Sequence, residues 1–200
     1  MIKRIVLTGG PCGGKTSAIK LIREKYEKEN YIVLSIDETA TEIINSGITP
    51  YGNNAISMYD FQKYVFESQI KKEQEIEKYI KENKESNIIV LYDRCLIDNK
   101  SYVSDDEFNK LLNEFNININ DYIKKFDLFI HMVSAAIGTN EYTLSNNNAR
   151  VETEKEAKEK DKKILDCYKD IPKHVIVDNK TDFDDKVNKV IELIENIIRG

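Results

Sequence analysis

Residues 9–16 read Gly-Gly-Pro-Cys-Gly-Gly-Lys-Thr and fit the spacing G-x-x-x-x-G-K-[ST] of a loop that wraps phosphate. Each fixed position has a physical job. Successive backbone N–H groups turn inward and make a concave anion site. A helix starting at the end of the loop adds roughly half a positive charge at its N-terminus. Gly14 lets the backbone approach phosphate with no Cβ in the way. Lys15 is placed to reach β- and γ-phosphates, and the Thr16 hydroxyl to ligate Mg²⁺. Gly9, Gly10, Pro11, Cys12, Gly13, Gly14, Lys15, Thr16 and Ser17 form the candidate nucleotide-binding set.

Phosphate chemistry also needs acids. Residues 87–94 read Asn-Ile-Ile-Val-Leu-Tyr-Asp-Arg, an apolar run ending in Asp93. Ligands of parallel sheets sit at the C-terminal ends of strands, so Asp93 there can hold Mg²⁺ directly or through water. A strand-terminal acid that only caps the next turn is the competing explanation. Arg94 can approach a transferring phosphoryl group, or simply pair with Asp98. Residues 35–40, Ser-Ile-Asp-Glu-Thr-Ala, put two acids beyond another apolar run. Glu38 lies one residue further out than Asp37 and is the candidate to orient or deprotonate an acceptor hydroxyl. The bland alternative is that either acid caps a short helix over 39–46. Asn148-Ala149-Arg150 opens a charged stretch, and Arg150 on a mobile segment can close over a γ-phosphate. Lys15, Glu38, Asp93, Arg94 and Arg150 are thus the candidate catalytic residues, with Thr16 and Asp93 as the metal pair. Tyr102 and Tyr142 are candidates to stack on an acceptor.

Asp178, Asn179 and Thr181 follow the last apolar run and are candidates for the base side of a nucleotide. Asn179-Lys180-x-Asp182 also matches a guanine-reading motif. Its usual companion D-x-x-G is missing, because Asp93-Arg94-Cys95-Leu96 has no glycine there. Adenine is the favoured base.

These residues need elements to hold them. Apolar runs at 2–8, 31–36, 87–92, 127–133 and 174–178 predict five short strands. Helical spacing of apolar residues marks 15–30, 58–84, 104–115 and 183–198. Thr181-x-x-Asp184 predicts a capping box for the last helix. Strands alternating with helices predict an α/β fold, a parallel sheet covered on both faces. The stretch 135–163, with its polar run and charged helix, predicts a mobile helical lid inserted over the site. No linker or second composition regime appears, so residues 1–200 read as one domain.

The chain is 200 residues long, with 40% hydrophobic residues, 32% charged residues and a net charge of −5. That length buries enough core to fold unaided. The acidic balance argues against a broad nucleic-acid surface, and no apolar run reaches the ~20 residues of a membrane span. Three widely spaced cysteines and no leader-like pattern suit a cytoplasmic protein. Nothing in the pattern argues for a particular oligomer.

Taken in order, several motifs resemble the small AAA-like or kinase-like ATPase domains grouped with nicotinamide riboside kinase. They are Leu7 to Thr16, Glu38-Thr39-Ala40, Asp93-Arg94 with Asp98 and Tyr102, and Glu141-Tyr142. Further along come Asn148-Ala149-Arg150 with Glu152, and Asp178-Asn179 with Thr181-Asp182-Phe183. The resemblance spans nearly the whole chain, with Cys95 standing where the family often has glycine. It implies a P-loop NTPase fold with five parallel strands ordered 2-3-1-4-5, dependence on ATP and Mg²⁺, and Asp98 near the acceptor. The expected activity is phosphoryl transfer from ATP to a small hydroxyl-bearing metabolite such as a nucleoside. The alternative is a nucleotide-dependent regulatory ATPase or GTPase switch with no small acceptor.

Overall fold

A computed structural model describes residues 1–84, 86–138 and 153–200. The predicted roles of Tyr142 and Arg150, with Glu141 and Glu152, lie outside these described residues. Five strands form one sheet: β1 (Ile2–Thr8), β2 (Ile32–Ile36), β3 (Ile88–Asp93), β4 (Leu128–Met132) and β5 (His174–Val177). All pairings are parallel and the order is β2-β3-β1-β4-β5, as the resemblance implied. Every residue of β3 and β4 is buried, which is why both read as continuous apolar runs rather than alternating ones.

The sheet separates two cores. On one face Ile5, Leu7, Ile89, Leu91, Ile130 and Met132 meet α1 (Lys15–Lys28) and α7 (Phe183–Arg199), which contribute Ile22 and Val190. On the other, Val6, Val90, Tyr92 and Phe129 meet α3 (Met58–Glu82), α4 (Asp105–Glu114), α5 (Ile119–Lys124) and α6 (Glu154–Tyr168). A short helix, α2 (Thr39–Asn45), follows β2. Among the described residues no helix is long and apolar enough to cross a membrane.

Three local features differ from expectation. A 3-10 turn, Leu96–Ser101, with its first four residues buried, closely follows β3, and α5 is too short for its periodicity to show in the sequence. The helix of the insert continues to Tyr168, where Ile164 and Tyr168 are fully buried, so it belongs to the layer that covers the sheet. The cap of α7 is Asp182, not Thr181: its carboxylate accepts from Asp185 N at 2.9 Å. A carboxylate there satisfies an orphan donor and also faces the positive end of the helix.

The turn after β3 is held from outside the site as well. Tyr122 on α5 accepts a hydrogen bond from Leu96 N at 3.3 Å and donates one to Glu73 Oε1 on α3 at 2.6 Å. Burial pushes the Glu73 carboxyl up from 4.5 to about 7, against the hydrogen bond from Tyr122. A carboxyl raised on folding is protonated in the folded chain while ionised in the unfolded one. Its contribution is therefore full below about pH 4.5 and declines as pH rises towards 7. Glu73→Gln keeps the acceptor for Tyr122 without the buried charge. The variant should match the parent near pH 4 and exceed it by about 3 kcal/mol near pH 8. Urea unfolding at the two pH values checks this; equal stability at both would reject it.

Candidate active site

β1 lies between β3 and β4, so the chain crosses to opposite sides after it and leaves a crevice at its C-terminal end. The loop Gly9–Gly14 fills that crevice. Gly9 has φ 126°, and a Cβ there would stand 2.2 Å from Met132 O of β4. Gly14 has φ 85°, and its missing Cβ makes room for the Phe183 ring, whose Cε2 would lie 2.4 Å away. Lys15 is buried, and its Nζ folds back to donate to Gly10 O at 3.0 Å and Gly9 O at 3.3 Å. The ammonium thus lies across the arch of the loop, where it can exchange carbonyl partners for phosphate oxygens.

Asp93 ends β3 beside the loop. Its Oδ2 accepts from the Thr16 hydroxyl at 3.0 Å, while its Oδ1 is buried with no hydrogen-bond partner. Burial raises the Asp93 carboxyl above its ordinary range, against the opposing charge of Lys15. A buried carboxylate oxygen left unmet is a costly arrangement that a hard cation would relieve. One hydroxyl and one carboxylate suit Mg²⁺, provided phosphate and water supply its other ligands. Among the described residues no group of three or more His, Cys, Asp or Glu could hold a metal by itself.

Arg94 follows with φ 75°, unusual for a residue with a side chain. That backbone turn carries its guanidinium to two carboxylates, Glu38 Oε1 at 3.0 Å from Nε and Asp98 Oδ1 at 3.2 Å from Nη1. Glu38 also accepts from the Thr41 hydroxyl at 2.9 Å. Burial pushes the Glu38 carboxyl up, but Arg94 and Lys15 outweigh it and bring the group down to about 2. Glu38 is therefore ionised at neutral pH. Asp37 points elsewhere, into a contact with Ser35. Asp98 is 2% exposed, and both its oxygens are met twice. Oδ1 also accepts from Thr8 at 2.6 Å, and Oδ2 from Cys95 N at 2.9 Å and Tyr168 at 2.5 Å.

Glu38, Arg94, Asp98 and Tyr102 line one cleft with Pro11 of the loop, enclosing about 800 Å³ of open space. Its deeper wall is apolar at Ile44, Phe61 and Val65, with the buried amides of Gln62 and Gln69 among them. Lys160 of α6 stands 5.1 Å over the Tyr102 ring at the rim. The turn after β5 lies on the opposite side of the loop. Asp178 and Thr181 are exposed there. The Asn179 side chain is committed to the fold, donating to Ser134 O at 2.8 Å and Ile137 O at 2.7 Å. Its Oδ1 accepts from Lys186 at 2.7 Å, and Asp182 caps α7. Lys180 pairs with Asp178 at 2.9 Å, so all three fixed residues of the guanine-reading match have structural partners.

Several residues of this neighbourhood carried no signal in the sequence. Thr8 and Tyr168 are an ordinary strand end and one tyrosine of eleven. Lys186 is a third such residue: burial, with Lys15 nearby, lowers its ammonium to about 8.

Arg94→Met should leave Glu38 and Asp98 buried without their cation. The expected loss is about 3–5 kcal/mol of folding stability, read by urea unfolding. A loss no larger than that of an exposed ion pair, about 1 kcal/mol, would show that the pair does not hold the turn.

The comparisons with known proteins agree with this geometry. A family model described as an AAA domain matches residues 4–186. No curated protein sequence matches the chain. Among solved structures, the deoxyadenosine kinase of M. mycoides, with its products dCMP and a flexible dCDP bound, is similar at a TM-score of 0.57. The two are 17% identical, and the match covers 96% of this chain and 99% of that one, a likeness of fold. Since the family match runs from β1 to the first turn of α7, the chain belongs to the AAA domain family.

Proposed function

We propose that the chain is a cytoplasmic phosphotransferase moving the γ-phosphoryl group of ATP to a hydroxyl of a nucleoside or closely related metabolite. The observation that carries the reading is the cleft beside the loop. It has an ionised carboxylate at the end nearest the phosphates and an apolar wall with amides at the other. That lining suits a flat heterocycle with hydrogen-bonding edges attached to a hydroxylated sugar. The fold shared with a deoxyadenosine kinase supports the substrate class.

In this reading Gly9–Thr16 and Ser17 bind the phosphates, and Lys15 gives up its loop carbonyls to stabilise charge between the β- and γ-phosphates. Thr16 and Asp93 would hold Mg²⁺, which neutralises phosphate charge when bound. Glu38 accepts the acceptor hydroxyl as a hydrogen-bond partner. With its carboxyl held near 2 it is a weak base, so its main task is orientation, with the proton arriving late in the transfer. A loose phosphoryl-transfer transition state asks little more of it. Arg94 fixes Glu38, and Arg150 and Tyr142 complete the clamp and the acceptor contacts. Asp98 and Tyr102 line the acceptor side. Asp178, Asn179 and Thr181 lie on the base side, Asn179 through its backbone unless its amide lets go of Ser134 and Ile137. Three cysteines spread widely along the chain fit a reducing compartment.

Mg·ATP at about 100 times its Kd should add about 2.7 kcal/mol of stability, raising Tm by roughly 5–11 °C. An acceptor screen following ADP release should find a rate that needs a nucleoside or riboside. Glu38→Gln should lower that rate by up to about 10²-fold through lost positioning of the acceptor hydroxyl. No Tm shift with ATP or GTP would end the nucleotide reading. Hydrolysis indifferent to every acceptor and to Glu38→Gln would favour a regulatory ATPase instead.

A further inference from the structure

The chain leaving β4 is bonded on several sides. Ser134 donates from its hydroxyl to Pro11 O at 2.5 Å, and Ala135 N donates to Cys12 O at 3.2 Å. These bonds tie the phosphate loop to the start of the insert. Its far end is tied to the same place by α6. Asp161, 2% exposed, points its carboxylate away from solvent into the joint. Its Oδ1 accepts from Gly10 N at 2.7 Å and from Ser134 N at 3.0 Å, and its Oδ2 meets His131 Nε2 at 3.2 Å. The fit is close: a Cβ at Gly10 would stand 2.7 Å from both Cβ and Oδ1 of Asp161.

One carboxylate oxygen therefore holds two backbone amides from segments more than a hundred residues apart in sequence. A negative group beside a phosphate site opposes anion binding, so its presence calls for a compensating role. The geometry points to that role: we propose that Asp161 is a positioning residue of the phosphate loop. By drawing Gly10 and Ser134 together it fixes the arch Gly9–Gly14, and so sets nucleotide affinity from a helix that does not itself line the phosphate cradle. The affinity half of this proposal rests on the nucleotide reading above; the half concerning loop rigidity does not.

Asparagine tests geometry apart from charge. Its Oδ1 can accept from the same two amides, and its Nδ2 can donate to Nε2 of His131 in the other tautomer. Alanine removes the joint. Two measurements on the full chain decide the matter: amide hydrogen exchange without nucleotide, and Mg·ATP binding by calorimetry.

In Asp161→Ala, exchange at residues 9–14 should rise about tenfold or more while peptides of β3 and α7 stay unchanged, marking a local opening. Mg·ATP affinity should fall about tenfold, as expected for losing hydrogen bonds to a charged group. Asp161→Asn should restore the exchange pattern and bind ATP at least as tightly as the parent. Unchanged loop exchange in the alanine variant, or acceleration spread evenly over the protein, overturns the proposal. Faster loop exchange with parental affinity overturns its affinity half. A parent that binds no ATP ends the nucleotide reading, and the exchange data still judge the joint. Should the alanine variant not fold, Asp161→Glu carries the same test: its extra methylene cannot seat at Gly10, so parental exchange and affinity there would also overturn it.

Discussion

A carboxylate buried at the C-terminal end of a sheet is tolerable only if its lone pairs are met, because the cost of burying the charge is several kcal/mol. Asp98 is that carboxylate, and its four donors come from three places. Thr8 belongs to the central strand, Cys95 N and Arg94 to the turn after β3, and Tyr168 to the covering helix α6. Through Arg94 the tie extends to Glu38 beyond β2. Three strand ends and one covering helix are thereby fixed relative to one charge. The phosphate loop hangs from β1 directly after Thr8, so its base is set by the same knot.

The charges around the loop come in neighbouring opposites. Glu38 faces Arg94 and Lys15; Asp93 feels Lys15. Lys186, sealed below the loop, gives its hydrogens to Val133 O and Asn179 Oδ1. The one conspicuous gap in this pairing is Asp93 Oδ1, which is also where the chemistry of phosphate calls for a divalent cation. The carboxylates of Glu38, Asp98 and Asp161 are met in advance, which lets the site hold its shape at little cost in reorganisation when charge develops on a ligand.

Much of the frame was legible in the sequence because it is periodic or local. The five apolar runs gave five strands, and the glycine spacing placed the loop between β1 and α1. Position along the chain preferred Glu38 over Asp37; in the fold Glu38 reaches Arg94 and Asp37 turns to Ser35. What the sequence concealed is nonlocal. No pattern in residues 160–170 says that Asp161 and Tyr168 reach back over 151 and 70 positions to Gly10 and Asp98. The guanine-like match at Asn179-Lys180-x-Asp182 misleads for the same reason: its polar side chains serve partners brought near only by the fold. The capping of α7 slipped by one residue because Thr181 and Asp182 are both competent caps, and backbone geometry made the choice.

The packing of Phe183 on Gly14 carries a consequence for how such chains drift over generations. Position 14 is held to glycine by its left-handed backbone and by an aromatic ring belonging to the last helix; position 9 is held by the carbonyl of Met132. Neither constraint involves a nucleotide. A descendant that had abandoned phosphate chemistry altogether would still be under pressure to keep both glycines, because the sheet and its final helix close around them. In this lineage the spacing of the glycines records the architecture of the crevice. The trace of lost chemistry would appear first at Lys15, whose ammonium the scaffold has less reason to retain.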